Sequence, residues 1–598
     1  MGVKGGSNAG VNNNHYDVVV VGAGLAGLTT AYFIKKHQPK LSVCIIERSG
    51  QAGGLTGNWI DHRFGDDKKL QTPMHMVFRD KYPNLVRMVE EIGGLLSPVN
   101  DKYTIITSDG RRNTLEMNDW TSRLLPPPLH ALGMFGKLKL PILSKWDLFK
   151  LGCVAVYCSE QLIDAAARGE RLQEPELVPN TMSLEGLELL LGMRRRSRDF
   201  IESVTPSIYN FHPWYTSGPR MSNIVAGTMM MNRNSLHYHV FGKSYNAAYI
   251  DTFVEKLAAM GVEFKFWTEV RSLVSDASGK KVDSLWYREN GPESEKSVRY
   301  VCENCGAENY AGDRAFCTRC GTDTTLDFVR SGAIKRPVGS ALWKDPVSTG
   351  CEQMHFERLV TAIYPHMIAQ LIPEGSPLRQ HPYVRSFFSS RSGLTELSIG
   401  RVYYREQVTG GERFITGTHN PTFAFNGCQS VYNNFGGEDL GWDGDVIDVL
   451  LDVGVLQKAR NHEYYSERIV EDLSKVYKDA DPSLVEHVSF AKINPSVLYL
   501  SEQPAIAGLH RVFNTHRTGT KNWYVAGCHS GLIGIGMESA TESGMSTVNC
   551  ILEDIGAEER VAIVPYKIHT GSRIAARIGK WILYLKGARR YPRLAQSN

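Results

Sequence analysis

Long apolar runs are missing from this chain. No window reaches about 18 apolar residues, so no membrane-spanning helix is expected. The opening segment, MGVKGGSNAGVNNNHY, has no apolar core of the kind a secretory signal needs, so export is not expected. It begins Met-Gly, yet Gly6 stands where the myristoylation pattern calls for Ser or Thr, with Ser7 one place late, so lipidation is not expected either. A disulfide framework is also lacking. Of 11 cysteines, four fall in one cluster. The others (Cys44, Cys153, Cys158, Cys351, Cys428, Cys528, Cys550) are scattered and odd in number, which suits a reducing, intracellular compartment.

A dominant charge is absent too: 67 Lys and Arg face 63 Asp and Glu, for a net +4. The excess is uneven. From Val561 onward there are eight bases and no acid, so the remainder of the chain is net negative. This excludes a nucleic-acid-binding body and leaves a near-neutral body with a basic appendage. At 598 residues, 42% hydrophobic and 10% aromatic, the chain is neither disordered nor fibrous, and it is long enough for two to four domains or one large composite fold.

Residues 16–36 read YDVVVVGAGLAGLTTAYFIKK. Asp17–Val21 is a β-branched run of the kind that forms a buried parallel strand. Gly22, Gly24 and Gly27 follow as G-x-G-x-x-G and open an apolar-periodic helix. Such glycines let the backbone approach a pyrophosphate, and the helix N-terminus then faces its charge. LSVCIIE supplies a second strand ending in Glu47, twenty residues beyond Gly27, where a carboxylate can bind ribose hydroxyls. A nicotinamide or a flavin dinucleotide would satisfy this unit equally.

Gly53-Gly54, six residues past the acid, resembles the second signature of the amine-oxidase and phytoene-desaturase superfamily of FAD enzymes, with Leu55 in place of the usual Arg or Lys. The distant stretch NWYVAGCHSGLIGIGMESATESG resembles the closing cofactor segment of that superfamily, GMESATESG being similar to a motif of plant-type carotenoid desaturases. Here Cys528 stands where an acid is usual, with His529 beside it. GVEFKFWTEVRSLVSD resembles the strand pair that lies along the adenine, with Val270 at the contact. The resemblance implies FAD held by Gly22, Gly24, Leu25, Ala26, Gly27, Glu47, Arg48, Gly53, Gly54, Val270, Gly527, Gly536 and Met537. It also implies a helix beginning at Met537 whose N-terminus favours the reduced, anionic flavin.

TPMHMVFRDKYPNLVRMVEEIG, with His75, Phe78 and Asn84 in step, resembles a desaturase segment. The proline-rich apolar stretch around Pro126–Pro128 is similar to plant-type phytoene desaturases and hydroxysqualene dehydroxylases. From Leu124 to Cys158 there is one acid, Asp147. That stretch is expected to form short amphipathic helices lining a greasy channel or dipping into a leaflet; ordinary core helices would read the same way. In the tail, Ile574, Ile578, Trp581, Ile582 and Leu585 fall on one helical face edged by Arg573, Arg577 and Lys580. An anionic membrane surface would suit it, as would docking on the body with a solvated basic side.

The expected activity is hydride transfer from a lipophilic, isoprenoid or carotenoid-type substrate to flavin N5, a desaturation at the cytoplasmic face of a membrane with peripheral attachment. A quinone or similar compound would reoxidise the flavin, and no nucleic acid is involved. Candidates for proton handling are His75, His529 and Glu538; Tyr403, Tyr404 and Arg405 are candidates for the pocket wall. The same signatures also serve isomerases, dehydroxylases and amine oxidases. A flavin-stabilised scaffold that recruits partners is the alternative from another class.

Cys302, Cys305, Cys317 and Cys320 form two Cys-x-x-Cys-Gly knuckles eleven residues apart. This is the spacing of a closed four-thiolate zinc site, and it resembles a short zinc ribbon; iron in a rubredoxin-like site is the alternative. A closed site has no open position, so the insert is expected to fold locally or dock a protein partner.

The expected fold is mixed α/β: a discontinuous Rossmann-like FAD domain (16–95, 246–300, 326–375, 506–558), a substrate domain of antiparallel sheet plus helices (96–245, 376–505) and a zinc-ribbon insert (301–325). A flexible N-terminus (1–15) and a basic amphipathic tail (559–598) flank them.

Overall fold

A computed structural model describes residues 14–57, 59–60, 69–70, 77–98, 102–106, 112–116, 124–130, 144–167, 175–179, 181–209, 216–219, 221–222, 230–232, 238–290, 299–301, 308–310, 350–389, 397–412, 414–417, 423–430, 442–451, 462–493, 516–531 and 536–588. The valine-rich start forms β1 (His15–Val21), whose last four residues are all buried. Such strands need both faces covered, as parallel sheets provide. β2 (Val43–Ile46) and β15 (Glu352–Thr361) flank β1, both parallel to it. β10 (Val262–Lys265) extends the sheet beyond β2. On the far side β15 is shared. Its first half pairs antiparallel with β12 (Val282–Glu289), which continues to β11 (Thr268–Ser275). Its second half pairs parallel with β21 (Trp523–Val525).

Strands β10, β2, β1, β15 and β21 thus stand side by side in parallel, although they come from distant parts of the sequence. β1 sits where the direction of winding reverses, the place at which open α/β sheets bind ligands. Helix α1 (Leu25–His37) follows β1, and α2 (Pro83–Ile92) lies further along the chain. The expected mixed fold with a discontinuous Rossmann-like unit is what the chain adopts.

A second sheet runs β20-β16-β19-β18-β17-β7-β8, built from β7 (Lys102–Ile106), β8 (Arg112–Glu116), β16 (Leu397–Tyr404), β17 (Phe414–Gly417), β18 (Phe425–Ser430), β19 (Val446–Leu451) and β20 (Val485–Ile493). All neighbours are antiparallel except β17 and β7. Inside it Arg401 pairs with Asp448, Nη2 to Oδ2 at 2.9 Å, with both side chains buried. Short pairings complete the strands: β3 (Trp59–Ile60) with β4 (Lys69–Leu70), and β9 (Tyr238–Val240) between β5 (Val77–Phe78) and β6 (Ser97–Pro98). β13 (Arg299–Val301) and β14 (Glu308–Tyr310) form a small antiparallel pair in the connection between β12 and β15.

Of the apolar stretch before residue 158, the part described from Ser144 onward forms a long helix, α3 (Lys145–Ala167), with residues 152–159 buried on every side, which is the ordinary core helix of the two readings. Its middle is a core helix. The reason is a partner: α4 (Leu184–Leu190) lies at one end, and the tail helix packs along it. α5 (Arg195–Tyr209) follows α4, and Lys150, buried beside Asp147 at 3.1 Å, donates to the Leu191 carbonyl at 2.7 Å.

Helix α6 (Asp251–Ala259) leads into β10, and α7 (His462–Val476) covers the second sheet with Ile469 and Leu473. Helix α8 (Met537–Asp554) follows β21. Helix α9 (Thr570–Leu585) then runs antiparallel to α3: Gly579 abuts Cys153, and Arg573 pairs with Glu160 and Asp164, each at 3.1 Å. The buried face of α9 is Ser572, Ala575, Ala576, Gly579, Ile582 and Leu583, which takes in only Ile582 of the apolar stripe that the sequence points to. Small residues win that face because they let the two helix backbones approach: a Cβ on Gly579 would stand 2.2 Å from the Cys153 carbonyl oxygen.

Candidate functional site

The glycine loop lies at the carboxyl edge of the first sheet. Gly22 has φ +105°, and a Cβ there would meet the Ala362 carbonyl oxygen at 2.8 Å, so only glycine fits. Gly27 is equally confined, its would-be Cβ 2.0 Å from the Gly22 oxygen. Gly24 differs. Its φ is an ordinary −74°, and a Cβ would meet only Gly54 Cα at 3.9 Å. The space in front of Gly24 is open, and the N-terminus of α1 carries neither a side-chain cap nor an acidic residue in its first turn. Leu25 and Ala26 form that turn, both buried.

The second glycine pair folds back onto the first. Gly24 and Gly53 form an isolated parallel bridge, and the Gly53 amide donates to the Ala23 carbonyl at 2.9 Å. Glu47 ties the loop together. Its Oε2 accepts from the Ala23 amide at 2.8 Å, and its Oε1 from the Ser49 amide at 2.9 Å and Ser49 Oγ at 3.0 Å. A carboxylate oxygen has two acceptor positions, so Oε2 retains one for a ribose hydroxyl. Arg48 lies between these two residues and is exposed. The Glu47 carbonyl accepts from the Thr268 amide at 2.9 Å, which brings β11 and the buried Val270 to the same corner.

The closing half meets this loop from the other side. Gly527, after β21, donates its amide to Ser543 Oγ at 2.9 Å, and Ser530 Oγ lies 2.7 Å from the same hydroxyl. His529 is buried, and its ring occupies the space a Gly527 side chain would need. Gly536 precedes α8 without a side-chain cap, leaving the amides of the Met537 turn uncapped by side chains. The start of α1 packs closely on α8 two turns into that helix: a Cβ on Gly544 would lie 2.8 Å from the Ala26 carbonyl oxygen. Two positive helix ends thus stand at one sheet edge.

Three observations make the cradle fit an FAD: the open space over Gly24, the uncapped helix N-termini, and the remaining acceptor of Glu47 on a side chain already held in place. Chemistry by the scattered thiols fits less well. Burial pushes Cys44, Cys153 and Cys428 each up to about 12, which keeps them as inert thiols.

The candidates for proton handling separate. Glu538 is buried and surrounded by donors: Oε1 accepts from Asn84 Nδ2 and Tyr566 Oη, both at 2.8 Å, and from the Asn84 amide at 3.1 Å. Oε2 accepts from the Leu85 amide at 2.7 Å. Burial raises its pKa while these donors oppose the rise. It caps the start of α2 and joins it to α8, which is a positioning task. His529 lies at the start of the flavin-side segment; His75 lies outside the described residues. Of the three tyrosine-strand candidates, Tyr404 is buried in the core of the second sheet, and Arg405 is exposed beside Glu486 at 3.3 Å. Tyr403 packs edge-on against Trp442, toward the nucleotide-side core.

Cys302, Cys305, Cys317 and Cys320 lie outside the described residues; the first pair falls in the sequence between β13 and β14. Among the described residues no group of three or more His, Cys, Asp or Glu could hold a metal.

Two residues of the site were not singled out by sequence. Ser49 is marked only by its position two residues after the acid. Trp267 adopts φ 56°, stacks over Gly50, and accepts from the Asn290 amide at 2.8 Å; nothing in its local sequence announces that conformation.

Known proteins resemble the chain in matching places. The family described as NAD(P)-binding Rossmann-like domain matches residues 20–92, and the flavin-containing amine oxidoreductase family matches residues 455–552. Among curated proteins, thiamine thiazole synthase of Candida albicans (strain WO-1) is 39% identical over 64 residues, 11% of this chain and 18% of that protein. That of Schizosaccharomyces pombe is 52% identical over 44 residues, 7% of this chain and 13% of that protein. The chain thus spans less than a fifth of the length of these two relatives. Solved structures share the fold over most of the molecule. Cyclohexylamine oxidase from Brevibacterium oxydans has a TM-score of 0.55 at 11% identity, covering 90% of this chain and 99% of that one. Putrescine oxidase bound to putrescine has 0.54 at 14%, with the same coverage. An oxidoreductase from Methanosarcina mazei has 0.52 at 14%, covering 88% and 99%. A nucleotide-binding family model thus matches near one end of the chain and a flavin-containing amine oxidoreductase model near the other, and the fold between them is similar to that of solved oxidases.

Proposed function

We propose that this protein is an FAD-dependent oxidoreductase that acts on a lipophilic substrate of isoprenoid or carotenoid type at a membrane surface. The observation that carries the flavin reading is the uncapped start of α1 beside the open backbone of Gly24, with Glu47 held at the same loop and α8, also without a side-chain cap at its start, packed on α1. Bound FAD would supply the hydride acceptor for desaturation.

The chain's own residues bind and orient it. The Gly22–Gly27 turn receives the pyrophosphate, Glu47 the ribose, and Val270 the adenine side. The start of α8 lies where a partial positive charge favours an anionic ring. His529 and His75 are the candidates for moving the proton that accompanies hydride loss. The lipophilic substrate is supported by the buried apolar middle of α3 and, among the described residues, by ten exposed large hydrophobic side chains on four segments. A quinone-like acceptor for reoxidation, attachment at a cytoplasmic membrane face, and a structural zinc in the four-cysteine insert that docks a protein partner belong to the same proposal.

The test is anaerobic incubation of the flavin-loaded protein with dispersed polyenes, with bleaching of the flavin and product mass both followed. Bleaching with loss of two hydrogens per step is expected. An unchanged product mass would replace desaturation by isomerisation. Bleaching by amines alone would replace the lipophilic substrate, and flavin that no substrate bleaches would favour a scaffold.

A further inference from the structure

The docking of α9 on α3 leaves the outer side of α9 uncovered, and its composition is unusual for a solvent face. The exposed residues are Ile574, Arg577, Ile578, Trp581, Tyr584, Leu585 and Lys586, one continuous helical stripe. Trp581 is 63% exposed and Leu585 65%. The only charges in the stripe are positive. The two bases that could have been neutralised are turned inward, Arg573 to Glu160 and Asp164, and Lys580 to Glu176 at 3.0 Å. From Val561 onward the sequence contains no acid.

The stripe is extended at both ends. At the start of α9 the Pro127 carbonyl oxygen lies 2.1 Å from where a Gly571 Cβ would stand, which places the exposed Leu124, Leu125 and Leu129 segment beside it. At the other end Lys586 Nζ reaches Gly192, just after the exposed Leu189, and Lys150 ties that turn to the start of α3, where Trp146 is exposed. Among the described residues these segments hold every exposed large hydrophobic side chain except Leu95. Scattered exposed leucines need no explanation; a concentrated patch does.

We propose that this face, centred on Ile578, Trp581 and Leu585, docks on the surface of an anionic lipid bilayer. This deepens the membrane reading above and rests on it. Apolar side chains at helical spacing, an amphipathic Trp and Tyr, and bases without acids are what a headgroup boundary receives. A second copy of the chain fits less well. A two-fold pairing of this stripe would set Arg577 and Lys586 against their own kind. No helix among the described residues is long and apolar enough to cross a membrane, so the contact is one of lying on the surface.

The experiment is co-sedimentation of the flavin-loaded full chain with phosphatidylcholine vesicles containing about one-third phosphatidylserine, and with vesicles of phosphatidylcholine alone. The double variant Ile578→Ser with Trp581→Ser is compared, its melting temperature checked against the parent. Partition onto the anionic vesicles is expected to fall about tenfold or more in the variant, and to weaken for the parent at high salt. Parent protein that stays in the supernatant, or a variant that sediments as well as the parent, overturns the proposal. Equal sedimentation with neutral vesicles overturns the anionic assignment. A parent that self-associates without lipid, and a variant that does not, assigns the stripe to a second copy instead. Flavin bleaching by a detergent-dispersed polyene is read in parallel. Bleaching without vesicle binding sinks the docking surface alone, whereas vesicle binding without bleaching sinks the redox reading alone.

Discussion

Asn84 donates its side-chain amide to Glu538 at 2.8 Å, across 454 residues of chain. One bond in this group joins the first turn of α2 to the first turn of α8. Glu538→Ala would strand the Asn84 and Leu85 amides and the Tyr566 hydroxyl in a buried place. The expected cost is about 2–4 kcal/mol, measured as a lowered denaturant midpoint. Glu538→Gln, which keeps an acceptor, should lose less. If flavin bleaching fell in Glu538→Gln with the midpoint unchanged, Glu538 would be acting on the substrate and not on α2.

The two glycines of the first loop should part company. Gly22→Ala meets a backbone oxygen at 2.8 Å in a left-handed conformation and should yield little folded protein. Gly24→Ala has both room and a permitted φ, so it should fold and melt like the parent. Its methyl group would occupy the space the pyrophosphate takes, and bound flavin, read by absorbance after desalting, should drop sharply. Normal flavin content in Gly24→Ala would move the cofactor elsewhere.

Arg401 and Asp448 form a buried, two-pronged pair in the second sheet, with Gln429 Nε2 at 3.4 Å from the same carboxylate. Arg401→Met leaves a buried carboxylate alone and should cost about 3–5 kcal/mol. Adding Asp448→Leu should restore most of that loss. Chemical denaturation of the single and double variants measures the coupling.

His516 is fully buried, with Nδ1 at 3.2 Å from the Val525 carbonyl and 3.1 Å from Thr547 Oγ1. Burial pulls its pKa down to about 4. The folded state therefore resists protonation that the unfolded chain accepts. Stability is full above the unfolded value of about 6.5 and falls as the pH drops from there toward 4. The largest loss this histidine can cause is about 3 kcal/mol. Melting curves between pH 7 and pH 4.5 should show a steeper decline for the parent than for His516→Gln. Equal slopes would assign the acid sensitivity to other groups.

One zinc per chain is expected by elemental analysis of the purified protein. Cys317→Ser should lose the metal and keep its flavin, since a four-thiolate site is closed. Loss of flavin bleaching in a still-folded Cys317→Ser protein would instead tie the metal to the redox chemistry.

The nucleotide cradle was largely legible because its parts are local. Strand, glycines, helix and acid fall within one short segment, and each residue type is there for a reason of backbone space or charge. Long-range contacts were less so. Nothing near Glu538 announces that Asn84 and Tyr566 will surround it. Helix α9 shows a different limit. Periodicity locates an apolar stripe but does not say which face a neighbour will take, and here close backbone approach through Ala576 and Gly579 prevailed over the larger side chains. The middle of α3 was left between two readings for the same reason, since its cover comes from the far end of the chain.

The four-cysteine insert leaves the sheet after β12 and returns at β15, and Tyr287 and Glu352 are cross-strand partners. Departure and return are thus one strand spacing apart, about 5 Å. The excursion has no net displacement, so as a detour it is reversible. Exchanging it for a tight hairpin turn would alter the path of the chain without moving either strand, and closing a long loop instead of a short one costs only about 0.6 kcal/mol per doubling of length. The sheet is therefore indifferent to what is mounted there, and a metal module could be gained, lost or replaced without disturbing the flavin fold beneath it.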